Sequence, residues 1–198
     1  ESVDSFKLLK RYREFLKFCV CGLFYQAGIA VVITLSAVYA QLVMKFTTAQ
    51  TITLILVVNI TAAIGAFVFG YVQDRLGHKK TLALTILLWI IMGVMAAFSH
   101  GPVSFWIAAN IAGIAMGSSQ SAGRAVVAVF APAGELAQFY SAWNVAVWGA
   151  NVLGPITYGT VTWLTSGDQR TAILVTTLFF VIGLLILRRV HLPSKTVC

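Results

Sequence analysis

Six long apolar runs, separated by short polar segments, dominate this sequence. Each run is within or above the range of about 17–25 residues that a helix needs to cross a bilayer. The runs are continuous rather than alternating, which favours helices over the strands of a membrane barrel. Only 10% of the residues are charged, whereas a soluble domain carries about 25%. The sequence therefore predicts an all-α integral membrane protein and excludes a soluble enzyme, a disordered chain and a disulfide scaffold.

The predicted architecture is a bundle of six transmembrane helices over residues 18–190. We place its spans at about 18–43, 51–72, 81–98, 103–122, 136–164 and 171–187. The basic segment 1–17 mixes basic and apolar positions, which is typical of a helix lying in the membrane interface. A simple positively charged flank of the first span explains it equally well. Residues 191–198 are predicted to form a cytoplasmic tail.

The positions of the basic residues support this multi-pass topology. With the N-terminus placed in the cytoplasm, twelve of the 14 Lys and Arg residues fall at cytoplasmic ends and loops, and two, Lys45 and Arg170, fall outside. Such a bias follows the positive-inside rule and places both termini in the cytoplasm. The membrane topology thereby explains the net charge of +8. The predicted partner is the lipid bilayer, and no nucleic-acid partner is expected.

Charged and metal-ligating side chains are missing from the predicted spans. All six acidic residues and all three histidines fall at helix ends or in loops. Proton relays and ion sites inside membranes usually need such groups, so this chain alone has no predicted proton carrier. The same pattern predicts no metal and no cofactor. With no cluster of catalytic residue types and no nucleophile elbow, an enzyme is not expected.

Uncharged polar side chains are shared unevenly among the spans. They concentrate in the first, second, fourth and fifth, while the third and sixth carry little beyond Thr and apolar residues. Such side chains either bond between helices or line a cavity for a small polar solute. Arg124, at the inner end of the fourth span, either attracts an anionic group or anchors the span on its positive side. The candidate solute cavity, besides Arg124, is Gln26, Asn59, Asn110, Gln120, Asn144 and Asn151.

Glycine and proline mark positions of close packing or bending. Gly113 and Gly117 are four residues apart, a spacing that lets two membrane helices approach closely. Pro155 cannot donate a backbone hydrogen bond and weakens the helix around it. With Gly154 before it and Gly159 after it, the fifth span has its predicted bend here. Tight packing alone and a functional hinge are equally good interpretations.

The segment between the second and third spans reads GYVQDRLGHKKT over residues 70–81. A glycine at its turn permits a sharp reversal, and its basic residues favour the cytoplasmic side. The segment resembles the G-x-x-x-D-R-x-G-x-K/R-K/R signature of the major facilitator superfamily (MFS), which lies between the second and third helices of a six-helix unit. The matching residues are Gly70, Asp74, Arg75, Gly77, Lys79 and Lys80. The resemblance implies an MFS fold of two six-helix halves, with Asp74 and Arg75 latching one half to the other.

A second region narrows the resemblance. The runs GIAMGSSQSAGR (113–124) and ELAQFYS (135–141) are separated by Pro132 and followed by Gly154-Pro155. They are similar to the C-terminal half of the Atg22-like vacuole effluxers and their bacterial relatives. The chain departs from that pattern at Gly123, where Ser is expected, and at Ser141, where Gly is expected.

The resemblance implies one half, the C-terminal one, of a secondary transporter that works by alternating access. An N-terminal six-helix half, or a second copy of this chain, would complete it. The solute is expected to be small and polar, and an amino acid is a candidate because yeast members are associated with amino-acid export from the vacuole. The sequence reads as a bacterial member, which implies an inner membrane rather than a vacuole. The alternative is a stand-alone six-helix protein acting as a homodimer or as a non-transporting scaffold.

Overall fold

A computed structural model describes the backbone of residues 2–193 and the side chains of residues 11–193. Helices are the one kind of regular element in that range, which confirms the all-α prediction. The six helices are α1 (Ser2–Leu42), α2 (Thr48–Leu76), α3 (His78–Ala97), α4 (Pro102–Phe130), α5 (Leu136–Leu164) and α6 (Gln169–Arg189). The side chains of Lys7, Lys10 and Lys195, which enter the charge argument, lie outside the described part, as do residues 194–198 of the predicted tail.

The first helix is longer than its predicted span. It has 41 residues, or about 60 Å at 1.5 Å per residue, which is twice the roughly 30 Å of a bilayer core. Residues 2–17 are therefore helical and continuous with the first predicted span. α4 likewise continues past the predicted end at 122 to Phe130.

Four of the described helices can cross a membrane by length and composition alone. They are Arg11–Leu42 of α1, together with α2, α3 and α6. α4 and α5 are each 29 residues long, and they carry most of the polar side chains predicted for a cavity. Such helices fit a bundle interior better than a lipid-facing position.

Local capping explains where several helices begin and end. Thr47 begins α2 with a capping box, in which its side chain and that of Gln50 satisfy each other's backbone N–H groups. Asp168 begins α6 by accepting from the backbone N–H groups of Arg170 and Thr171. Gly77 alone separates α2 from α3 and has φ +81°, a conformation that favours glycine.

The helix contacts repeat within the bundle. α1 packs along α5 and α2 along α4, while α3 packs on α4 and α6, and α6 also packs on α1. If α1, α2 and α3 change places with α4, α5 and α6 in that order, the same set of packed pairs results. The chain is therefore built from two three-helix repeats, as in each six-helix half of MFS transporters.

Small residues permit the two most extensive helix–helix contacts, α2 with α4 and α1 with α5. A Cβ added at Gly117 would collide with the carbonyl oxygen of Ala62 on α2, and one at Gly113 with Thr61. A Cβ at Gly154 on α5 would collide with the carbonyl oxygen of Ala27 on α1. These positions therefore serve close packing. α5 remains one helix through Pro155.

Aromatic side chains close one end of the bundle. Phe15 packs on Phe139 with ring centroids 4.4 Å apart, and Phe18 stacks on Trp143 at 5.0 Å. These contacts, with Phe130, join α1 to α4 and α5 around the beginning of the first predicted span. This inner aromatic cluster lies at the same end as the α2–α3 turn.

Candidate functional site

A cavity of about 260 Å³ lies between α1, α2 and α4, in the half of the bundle away from the inner aromatic cluster. Its mouth lies between α1 and α2, where Ile33, Ile55 and Asn59 are exposed. Its deep wall includes Trp89 of α3 and Tyr158 of α5, both buried. α1 and α2 make few contacts with each other, and this separation leaves the opening.

The walls of this cavity are mainly apolar. The two tyrosine hydroxyls in its lining are already used, because Tyr39 donates to the carbonyl oxygen of Ala96 at 2.9 Å and Tyr158 to Oε1 of Gln169 at 2.6 Å. The indole N–H of Trp89 is also used, because it donates to Oγ of Ser119 at 3.2 Å. The remaining polar side chains are Ser36 and Asn59. Nδ2 of Asn59 donates to the carbonyl oxygen of Ile55 at 2.8 Å, which leaves its Oδ1 as an acceptor at the mouth.

Gln26 and Gln120 are the pair of predicted polar residues that the fold brings together. Nε2 of Gln120 on α4 donates to Oε1 of Gln26 on α1 at 3.3 Å. Gln26 is buried, with 5% of its surface exposed. Gln120 lies one helical turn beyond Met116, which lines the cavity. The pair therefore joins α1 to α4 just below the floor of the cavity.

The other predicted cavity residues are dispersed. Asn110 bonds within its own helix, from Nδ2 to the carbonyl oxygen of Trp106 at 2.8 Å. Asn144 and Asn151 are exposed on α5, and the Arg124 side chain is exposed towards the end of the bundle that holds the α2–α3 turn. Asn59 is the one member of the predicted set that lines the cavity. Ser36 also lines the cavity, whereas the sequence favours hydrogen bonding between helices for a single Ser in a span.

The residues of the α2–α3 motif divide into two groups. Asp74 and Arg75 are exposed, and within the described residues neither side chain has a hydrogen-bond partner. Gly70 has open space where a side chain would lie. Lys79 instead donates from Nζ to the carbonyl oxygens of Val190, at 2.6 Å, and of Arg188, at 3.1 Å. Lys79 therefore stabilises the C-terminus of α6, while Asp74 and Arg75 are free to meet a group outside the described chain.

Two further cations bond to helix ends, which the charge pattern alone did not predict. Arg11 donates to the carbonyl oxygens of Val129 and Ala131 at 3.1 Å, and also to that of Phe130, at the end of α4. Arg170 donates to the carbonyl oxygen of Ser99 at 2.7 Å, just after α3. Unpaired carbonyls and the helix dipole make these ends favourable for cations.

Glu14 is the buried acid of the described chain, with 7% of its surface exposed. It accepts from Nζ of Lys17 at 2.6 Å and from the backbone N–H of His191 at 2.7 Å. Burial raises the pKa of this carboxyl, but the hydrogen bonds from Lys17 and His191 outweigh it and hold the pKa below its ordinary value. Glu14 thereby ties α1, just before its predicted span, to the segment after α6.

Comparison with known proteins decides the family. A sequence profile described as "Vacuole effluxer Atg22 like" matches residues 1–197. The chain belongs to this Atg22-like family. The family resemblance inferred from residues 70–81 and 113–155 is thereby confirmed.

Curated relatives of this Atg22-like chain are transporters rather than enzymes. It is 26% identical over 193 residues to the uncharacterized MFS-type transporter YxiO of Bacillus subtilis, covering 98% of this chain and 44% of that protein. It is 33% identical over 133 residues to a putative metabolite transport protein of Haemophilus influenzae, covering 65% of this chain and 32% of that protein. The chain thus spans less than half the length of the curated relatives it matches.

Solved structures confirm the fold. The inward-open xylose transporter XylE of E. coli superimposes with a TM-score of 0.76 at 19% identity, covering 92% of this chain and 48% of that one. The MFS transporter FucP in its outward conformation gives 0.79 at 18% identity, covering 93% and 44%. This Atg22-like chain therefore has the six-helix, half-length MFS architecture that the sequence predicted.

Proposed function

We propose that this chain is one six-helix half, the C-terminal one, of a secondary transporter that moves a small solute through a bacterial inner membrane by alternating access. The observation that carries the proposal is the half-length match to MFS transporters by a complete six-helix unit. The second half belongs to the same polypeptide, and both termini of this half face the cytoplasm.

The exposed face of α5 supports a second half. Asn144, Trp148 and Asn151 are spaced so that they share one side of the helix. All three are exposed, Trp148 by 68%. Two amides facing hydrocarbon would lack hydrogen-bond partners. A water-filled solute path between this half and the opposite one supplies such partners, and lipid does not.

The motif residues support the same arrangement. Asp74 and Arg75 lie exposed at the end of α2, while Lys79 of the same loop is already bonded to α6. The loop is therefore fixed to its own half through Lys79 and presents a carboxylate and a guanidinium outwards. A latch to the opposite half in one access state accounts for both groups.

The latch is tested in the full-length protein reconstituted into liposomes. Uptake from a defined mixture of metabolites is read by mass spectrometry, which does not require the solute to be known. Asp74→Asn keeps the shape of the side chain and removes its charge. Since a charged hydrogen bond is worth about 1.5–3 kcal/mol, we expect uptake to fall about tenfold or more while expression is unchanged.

The control is Arg189→Gln, which removes an exposed charge at the same end of the bundle. It is expected to leave uptake unaltered. Uptake by Asp74→Asn equal to that of the wild type would refute the latch. Absence of uptake of any metabolite by the wild-type protein would favour the non-transporting scaffold instead.

A further inference from the structure

The cavity between α1, α2 and α4 has a closed deep end and one polar edge. Trp89 and Ala108 in its wall are buried, with 0% and 1% of their surfaces exposed. Met116 lies at its floor, one turn before the Gln26–Gln120 pair. The lining therefore runs from buried residues such as Trp89 to exposed residues at the α1–α2 side, such as Ile33 and Ile55.

The chemistry of the deep wall suits an uncharged apolar group. Its lining contains no ionisable side chain apart from Tyr39 and Tyr158, whose hydroxyls donate to Ala96 and Gln169. A charged or hydroxyl-rich group placed there would lose its hydrogen bonds to water and gain few in return. An aromatic ring or a branched hydrocarbon would instead pack against Trp89 and its apolar neighbours.

The volume of the cavity sets the size of that group. A dry cavity of about 150 Å³ is enough to bind benzene. The 260 Å³ found here therefore accommodates one aromatic ring with a short substituent. A whole lipid chain is larger than this volume, so part of the chain would extend beyond the mouth.

The polar edge fixes how a solute would be oriented. Ser36 and Asn59 lie at the mouth, and Oδ1 of Asn59 has no donor bonded to it among the described residues. We propose that this cavity binds the apolar group of the transported solute, whose polar part stays at the mouth beside Ser36 and Asn59. The inference rests on the proposed transport function and names the substrate class: small amphiphiles that carry one uncharged, ring-sized apolar group.

The test uses matched pairs of compounds that share a polar part. Phenyl-β-glucoside is compared with methyl-β-glucoside, and phenylalanine with alanine, by equilibrium dialysis against the full-length protein in detergent. Empty micelles correct for partitioning into detergent. Burying one apolar side-chain group corresponds to a factor of about 10 to 100 in affinity. We expect at least one phenyl member to bind tighter than its partner by that factor.

Filling the cavity tests where the phenyl group binds. Ala109→Phe places a ring in the volume from α4, and Ala109→Leu is a smaller filler in case the first variant folds poorly. The control is Ala128→Phe, since Ala128 is exposed on the same helix outside the cavity. We expect either filler to remove the preference for the phenyl compound and the control to retain it.

Three results would overturn the proposal that the cavity binds the apolar group of the solute. They are equal binding within every pair, an undiminished phenyl preference in Ala109→Phe and Ala109→Leu, and binding of lysophosphatidylcholine that Ala109→Phe blocks while no phenyl compound binds. None of them depends on the latch, because dialysis measures binding alone. Loss of the proposed transport function would instead be seen as absent uptake by the wild-type protein.

Discussion

The ammonium group of Lys79 donates a hydrogen bond to the carbonyl oxygen of Val190 at 2.6 Å. Lys79 lies in the first turn of α3 and Val190 directly follows α6. At the opposite ends of the same two helices, Arg170 in the first turn of α6 donates to the carbonyl oxygen of Ser99, which follows α3. Each helix thus provides a cation for the C-terminus of the other, which matches the exchange of α1–α3 for α4–α6. The antiparallel α3–α6 pair is thereby fastened at both ends behind the cavity.

Removing the Lys79 ammonium should loosen this pair. Lys79→Ala leaves the last carbonyls of α6 without their donor, and we expect a loss of about 1 kcal/mol in the free energy of unfolding. The measurement is thermal unfolding of the detergent-purified full-length protein. Lys80→Ala is the matched control, because Lys80 is exposed and adjacent. A decrease of the same size in both variants would show that loop charge, and not the bond to α6, is responsible.

A buried contact between Tyr25 and Gly123 supplies the second prediction. The Tyr25 hydroxyl is buried without a hydrogen-bond partner, and a Cβ at position 123 would lie 2.6 Å from it. Gly123→Ala should therefore destabilise the protein by about 1–3 kcal/mol through overpacking. In a Tyr25→Phe background the clash is absent, and the same change should be nearly neutral. The thermodynamic cycle is measured by denaturant or thermal unfolding.

This contact also gives a physical reason for the departure from the family pattern at position 123. A Ser there would place its Cβ against the Tyr25 hydroxyl. If Gly123→Ala costs equally in both backgrounds, the two positions do not interact and that reason is wrong.

The carboxyl group of Glu14 supplies a prediction of pH dependence. Because its pKa is lowered in the folded state, its contribution to stability is fully present above the ordinary Glu value of about 4.3. The contribution is lost as the pH falls through the lower folded value. Thermal unfolding followed from neutral pH to about pH 3 should therefore show a decline that Glu14→Gln reduces. A decline of wild-type size in Glu14→Gln would contradict this role of Glu14.

Much of the fold was predictable from the sequence because it depends on local patterns. Apolar length predicted six helices, and small residues such as Gly117 and Gly154 marked the helix crossings. The family followed from short motifs around Asp74 and Arg124. Each of these signals lies within a few residues of chain, so one sequence is enough to recognise it.

The composition of the cavity was less predictable because it depends on which helices meet. The sequence favoured six amides as its lining, but Gln26 pairs with Gln120 across 94 residues of chain, and Asn110 bonds to its own helix. The enclosed volume is lined mainly by side chains that read as ordinary apolar core, such as Trp89. Polarity in a sequence indicates that a side chain needs a partner, and only the fold decides which one.

A half that transports by alternating access requires α5 to face a solute path rather than lipid. Its direct test is labelling of Asn151→Cys in the full-length protein, in intact membranes, with a water-soluble thiol reagent. Leu178→Cys on the exposed face of α6 is the control, with 55% of that leucine exposed, and the wild-type protein gives the background of the native cysteines. We predict that position 151 is labelled and position 178 is not. Equal labelling of the two positions, or none at 151, would show that α5 does not face a solute path.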